Sequence, residues 1–209
     1  MLLYYITDRL QLPGTERERR ERLLNMIAEA ARNWVDFVQL REKDMHSREL
    51  ELLAREAVQR IRAFSGRTRL LINSRTDIAL AAGADGVHLR SNDISPEEAR
   101  KIWREAHGPG KPVIAVSCHH DADVAAAEAG HADFVVFGPV FKKKGSPEVR
   151  LTGLDALRSA CLHKVPVLAL GGVTEHNAQL CIEAGAAGVA GIRLFQKGEM
   201  PKQVAALRR

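Results

Sequence analysis

The chain has 209 residues, 45% of them hydrophobic and 27% charged, a composition that excludes disordered, collagen-like and low-complexity classes. The net charge is +5 and the pI about 9.3, yet the basic residues are spread over 17–22, 100–111 and 142–144 and form no single stripe. That balance suits anionic small molecules about as well as nucleic acid, and no stretch approaches the roughly 18 apolar residues of a membrane span.

Residues 2–7 form an aromatic and β-branched run, and Pro13-Gly14 breaks the chain after it. Leu23, Leu24, Ile27 and Ala31 then recur near helical spacing, which predicts a helix over 16–33. The alternation repeats with a strand over 35–40, a helix over 46–64 carrying Leu50, Leu53, Ala54, Ala57, Val58 and Ile61 on one side, and a strand over 69–72. A short helix over 76–82 precedes a strand over 86–89, and Pro96 opens a helix to about 106 with Ser95 as its N-cap. Apolar strands over 112–116, 134–137, 165–170 and 188–192 complete the pattern, separated by helices over 121–129, 153–161 and 175–184. Strands alternating with helices call for parallel pairing with right-handed crossovers. Eight units of about 25 residues predict a single-domain α/β chain, residues 1–209, folded as a (β/α)8 TIM barrel; the rival is a doubly wound sheet. Gly83, Gly130 and Gly185 are each expected to stop a helix in the left-handed conformation before the next strand.

In such a barrel the residues that follow each strand share the carboxyl rim, where ligands bind. They include Thr7 and Asp8; Gln39, Arg41 and Lys43; Asn73, Ser74 and Arg75; Arg90 to Asp93; Ser117, His119 and His120; Lys142 to Ser146; Gly171-Gly172; and Arg193. Cations outnumber anions there, which suits a phosphate or pyrophosphate, while Gln39 offers a donor and an acceptor to a heterocycle. Gly171-Gly172 lets backbone N–H groups approach an oxyanion, with Thr174 expected to cap the next helix, although a tight βα turn would use the same residues. Asp93 is the rim carboxylate free to hold magnesium, and it could instead cap a turn. One histidine of the His119-His120 pair is placed to move protons near neutral pH, whereas His88, inside its strand, reads as a hydrogen-bonded barrel residue. Cys118, Cys161 and Cys181 match no zinc spacing and leave an odd thiol in any disulfide scheme, so a reducing, cytoplasmic setting is expected.

These motifs resemble the thiamine phosphate synthases and their TenI-type relatives, (β/α)8 barrels of thiamine biosynthesis. The likeness is carried by Tyr5-Ile6-Thr7-Asp8, Gln39-Leu40-Arg41-Glu42-Lys43, Ile72-Asn73 with Arg75 and Asp77, and Gly83-Ala84-Asp85-Gly86-Val87-His88-Leu89. Val116-Ser117 with His119, Ala132-Asp133-Phe134 with Gly138-Pro139-Val140-Phe141, and Gly171-Gly172 extend it over nearly the whole chain. The resemblance implies an enzyme joining hydroxymethylpyrimidine pyrophosphate to a thiazole phosphate with loss of pyrophosphate. It assigns chemistry to Ser117, His119 and Lys43, and substrate binding to Gln39, Arg41, Lys43, Asn73, Ser117, Lys143, Gly145, Ser146, Gly171, Gly172, Ile192 and Arg193. It implies Mg2+ held by Asp93, with Ser74 where the synthases usually carry a second aspartate in an Asn-Asp-Arg run.

Three further departures stand beside Ser74: Lys142-Lys143-Lys144-Gly145-Ser146 replaces a Pro-Thr-x-Thr-Lys loop, Ile192-Arg193 an Ile-Ser pair, and Arg90-Ser91 a Gly-Gln pair. Either added cations replace the missing metal charge in a diverged synthase, or the barrel resembles a TenI-type thiazole tautomerase using His119 as proton shuttle. A non-catalytic binder of phosphorylated thiazole or pyrimidine is the third alternative. In each case the partners are small phosphorylated molecules, with no nucleic acid and no membrane; the sequence does not choose between a monomer and a homo-oligomer.

Overall fold

Short apolar runs alternating with helices build eight parallel strands that pair in chain order until the last meets the first. The computed structural model describes residues 1–142 and 151–208. The strands are β1 (Leu2–Ile6), β2 (Phe37–Leu40), β3 (Arg69–Asn73), β4 (Gly86–Leu89), β5 (Val113–Cys118), β6 (Phe134–Phe137), β7 (Val167–Leu170) and β8 (Gly188–Gly191). They form the expected closed (β/α)8 barrel, with Tyr4 in register with Phe37 on one side and Ala190 on the other. No helix among the described residues is long and apolar enough to cross a membrane.

The helices are α1 (Glu16–Arg32), α2 (Ser47–Arg62), α3 (Thr76–Ala82), α4 (Pro96–Glu105), α5 (Asp121–Ala129), α6 (Gly153–Ala160), α7 (Ala178–Glu183), α8 (Arg193–Gln196) and α9 (Met200–Leu207). Thr15 with Glu18 and Ser95 with Glu98 form capping boxes that satisfy the first N–H groups of α1 and α4, and Pro96 opens α4 as its composition predicts. The apolar face of α2 lies against the sheet, with Leu50, Leu53, Ala54, Ala57, Val58 and Ile61 all buried.

Period-two alternation divides the core into two layers. Leu3 and Tyr5 point outward to the helices, whereas Tyr4 and Ile6 point into the barrel with Leu71, Ala115, Phe134, Val136, Leu168 and Ala190. Phe37 and Phe134 stack with ring centres 4.6 Å apart, and the Tyr4 ring meets both edge-on, so aromatic rings fill the barrel interior. The carboxyl mouth above them is left for polar side chains.

Several expected boundaries move. Asp36 does not belong to β2: its carboxylate accepts from the Leu3 N–H at 2.8 Å, tying the approach of β2 to the start of β1. Ser117 lies within β5 rather than after it, and Ile192 is the N-cap of α8 rather than the end of β8. Gly83 and Gly185 have positive φ as expected, but Gly130 sits at φ −78° and His131 takes the left-handed turn instead. The elements after β8, and a 3-10 turn at Arg9–Gln11, go beyond the sequence reading. Met200, Val204 and Leu207, spaced i, i+4, i+7, are all buried and could have revealed α9.

Candidate active site

A cavity of about 1230 Å³ opens at the carboxyl mouth. Its wall brings together Gln39, Arg41, Lys43, Asn73, Ser117, His119, Gly171, Gly172, Ile192 and Arg193 from five different strand ends, as the rim reading requires. Lys143, Gly145 and Ser146 lie outside the described residues. Arg41, Lys43, Arg90, Lys142, Arg193 and Lys197 all line the space, against Glu175 as the only carboxylate among its described lining residues. Such a surplus of positive charge in a concave site concentrates anions.

The pentapeptide from Gln39 to Lys43 divides by alternation. Arg41 and Lys43 reach the cavity, while Glu42 turns the other way and is buried, its side chain only 1% exposed. Glu42 accepts from the Thr7 hydroxyl at 2.6 Å and from the Arg9 backbone and guanidinium, each at 3.1 Å. Arg9 in turn forks Asp44 at 2.6 and 2.7 Å and reaches Glu16 at 2.8 Å. Thr7 Oγ1 also accepts from the Arg41 N–H at 2.9 Å, so this buried network fixes the backbone that presents Arg41. Burial pushes the Glu42 carboxyl above its ordinary range, and the bonds from Thr7 and Arg9 oppose that rise. The Lys43 ammonium is pushed below its ordinary value, chiefly by Arg41 beside it, then by its own burial and by Arg90. The Arg9 contribution was not visible in the sequence, where it reads as one more surface cation.

Beneath the cation-lined rim, a hydrogen-bonded chain crosses the barrel. Gln39 Nε2 donates to the Tyr4 hydroxyl at 3.2 Å, Tyr4 meets His88 Nδ1 at 2.9 Å, and His88 Nε2 meets Ser117 Oγ at 2.7 Å. Burial drives the His88 pKa down to about 3, so the ring is neutral and one nitrogen accepts while the other donates. Gln39 Nε2 can only donate, so the buried phenol proton goes to Nδ1, and Nε2–H then donates to Ser117. The Ser117 hydroxyl is thereby left with its own proton to offer into the cavity. His88 is thus the hydrogen-bonded barrel residue the sequence suggests, and Tyr4 is a polar member of the site that sequence reasoning missed.

The two histidines after β5 separate. His119 lines the cavity and its Nδ1 lies 2.6 Å from the Gly138 carbonyl, which requires Nδ1–H as donor, so that in the neutral ring Nε2 is the acceptor. His120 instead forms the N-cap of α5. After β7, Gly171 and Gly172 have φ of 95° and 65°, and an added Cβ would lie 2.5 Å from Pro139 and from the Phe141 carbonyl, respectively. Close approach of the segment after β6 therefore demands both glycines, whatever else they bind. Thr174 does not cap a helix: its N–H donates to Asn177 Oδ1 at 2.7 Å, and α7 begins only at Ala178.

Asp93 is not the free carboxylate expected. Its Oδ2 accepts from Ser74 Oγ at 2.7 Å and the Arg90 N–H at 2.8 Å, and its Oδ1 takes the Arg90 guanidinium at 2.8 and 3.1 Å. Burial pushes the Asp93 carboxyl up, but Arg90 and Ser74 outweigh it and hold it below the ordinary range. Each oxygen already carries two donors, so the residues assigned to magnesium do not fit an ion without losing these bonds. Among the described residues no group of three or more His, Cys, Asp or Glu side chains is arranged to hold a metal.

Comparison with known proteins places the chain in a family. A family model described as thiamine monophosphate synthase matches residues 3–195. The chain is 45% identical over 195 residues to a putative thiamine-phosphate synthase of Geobacter sulfurreducens, covering 90% of this chain and 83% of that protein. It is 37% identical over 190 residues to a thiamine-phosphate synthase of Chlorobium luteolum, covering 87% and 84%. The solved structure of a thiamine phosphate pyrophosphorylase from Pyrococcus furiosus superposes with a TM-score of 0.80 at 28% identity, covering 99% of this chain and 93% of that one. With the barrel, the cation-lined mouth and these relatives in hand, the chain belongs to the thiamine monophosphate synthase family.

Proposed function

We propose that the chain joins hydroxymethylpyrimidine pyrophosphate to a thiazole phosphate, forming thiamine phosphate and releasing pyrophosphate. The observation that carries this reading is the convergence of Gln39, Arg41, Lys43, Asn73 and Ser117 on one cavity in a member of this family. In the reaction the methylene C–O bond breaks with its electron pair leaving on pyrophosphate, and the thiazole nitrogen lone pair forms the new C–N bond. The departing anion and the developing carbocation both need a prearranged charge distribution. Arg41 and Lys43 supply it on the pyrophosphate side. Lys43, made a better acid by Arg41, can donate to the leaving oxygen.

Ser117 and Gln39 orient the pyrimidine, Ser117 through the proton that the Tyr4–His88 chain leaves to it. Gly171 and Gly172, with Ile192 and Arg193, form the wall for the thiazole phosphate. Magnesium enters no step derived from these residues. The test is pyrophosphate release by purified protein: it should require both substrates, and release at the same rate without the thiazole would remove the coupling step.

One observation favours a second reading. With Nδ1–H held by the Gly138 carbonyl, the neutral His119 ring at the cavity wall has Nε2 as its accepting nitrogen, the tautomer a tautomerase base needs. Isomerisation of a thiazole carboxylate phosphate that is lost in His119→Ala, with no thiamine phosphate formed, would favour it over the synthase.

A further inference from the structure

The place that the family resemblance gives to a metal ion is built differently in this chain. Ser74 and Asp93 do not reach the cavity; the wall there is made by Asn73, Arg90, Ser91 and Asn92. Ser74 is held at φ 57° with its N–H on the His88 carbonyl at 2.8 Å, and from there its hydroxyl donates to Asp93. Asp93 is nearly buried, at 12% side-chain exposure, while the guanidinium that covers it is 59% exposed and lies on the cavity side. With its guanidinium side open to solvent, Arg90 contributes little to stability through this pair.

Its geometry does something else. An arginine has five N–H donors, and Arg90 uses two of them, on Nε and Nη2, to bind Asp93. Five less two leaves three N–H groups on a cation whose orientation is fixed by a fork. Arg41 and Lys43 line the same cavity, and the mutual repulsion of these cations appears in the lowered Lys43 pKa, to which Arg41 and Arg90 both contribute. Like charges held together at a cavity wall are stabilised when an anion joins them.

We propose that Arg90 stands in place of the metal: anchored on Asp93, it turns a guanidinium edge to the substrate's diphosphate beside Arg41 and Lys43, and the chain binds that diphosphate without a divalent cation. The identity of the diphosphate rests on the synthase reading above; the anion site itself rests on the Arg90–Asp93–Ser74 geometry. The two substitutions belong together. With serine at 74 a second carboxylate is missing, and with arginine at 90 the remaining carboxylate is neutralised from within the chain.

The experiment is calorimetric titration of inorganic pyrophosphate into the intact chain, in chelator and again with excess Mg2+, paired with Mn2+ binding followed by electron paramagnetic resonance. Wild type should bind pyrophosphate in chelator, with affinity changed by no more than about twofold by Mg2+, and should take up no Mn2+ on its own. Arg90→Ala should weaken pyrophosphate at least about tenfold, and Arg90→Lys, which keeps the charge but not the fork, should fall between the two. The double variant Ser74→Asp with Arg90→Gly should gain Mn2+ binding and make pyrophosphate binding depend on metal. Pyrophosphate binding that appears only with Mg2+, an Arg90→Ala variant that binds like wild type, or Mn2+ bound by wild type would each overturn the proposal. Turnover of the two substrates separates this from the synthase reading. Thiamine phosphate made only with Mg2+ sinks the role of Arg90 and keeps the synthase; metal-free pyrophosphate binding with no thiamine phosphate does the reverse.

Discussion

Arg9 holds Glu42 beneath the cation-lined rim, and replacing it by leucine isolates a buried charge. Glu42 is 1% exposed and Arg9 5%, so neither partner can turn to water when the other is lost. Arg9→Leu removes the guanidinium bond to Glu42 at 3.1 Å but leaves the Thr7 hydroxyl and the backbone N–H of residue 9 on the carboxylate. Asp44, at 48% side-chain exposure, regains water and adds little to the cost. Breaking a buried pair by removing one partner costs about 3–5 kcal/mol, and the two surviving bonds place this case near 3 kcal/mol. Adding Glu42→Gln neutralises the stranded charge, so the double variant should be more stable than Arg9→Leu alone by about 1–2 kcal/mol.

Acid should do the same. Burial raises the Glu42 pKa above its unfolded value, so stability carried by this group is fully present below the unfolded pKa and is lost as pH rises through the folded one. Without Arg9 the folded pKa rises further, and the deficit against wild type should shrink as pH falls from 7 through that raised value. Urea denaturation at a series of pH values measures all three quantities. A deficit under about 1 kcal/mol at pH 7, or a double variant less stable than the single one, would refute the buried-charge reasoning.

Ser117→Ala removes the hydroxyl that the Tyr4–His88 chain aims into the cavity and leaves His88 Nε2–H without its acceptor; kcat/KM should fall by about 10- to 100-fold, with stability lower by about 1–3 kcal/mol. An unchanged kcat/KM would remove Ser117 from substrate contact. Gly172→Ala would force alanine to φ 65° with its Cβ 2.5 Å from the Phe141 carbonyl, so the variant should lose about 2 kcal/mol or more in thermal denaturation and bind thiazole phosphate more weakly. Full retention of both would mean that the turn yields more easily than its packing implies.

The eightfold alternation of strand and helix was readable because parallel barrel strands are short apolar runs, and α2 carries its buried stripe openly in the sequence. The charge that abruptly ends a buried strand puts Gln39, Arg41 and Lys43 at the rim. That Glu42 would turn away follows from alternation, but its partner Arg9 lies 33 residues off, on a turn with no local signature. Tyr4 reads as a core aromatic, since nothing in one strand shows that its hydroxyl will meet a histidine 84 residues later. Asp93 looked free for the same reason: the sequence shows Arg90 three residues before it but not that Ser74, from another loop, shares its oxygen. The boundaries that shifted, at Asp36, Gly130 and Ile192, are those where a side-chain bond or a turn decides between strand and cap.

Supplying purified protein with hydroxymethylpyrimidine pyrophosphate and isotopically labelled thiazole phosphate, and following labelled thiamine phosphate by mass, tests the central claim most directly. Wild type should form it, while Arg41→Ala and Lys43→Ala should each form it at least about tenfold more slowly. No labelled thiamine phosphate from wild type, with or without added magnesium, would contradict the assignment of a synthase to this barrel.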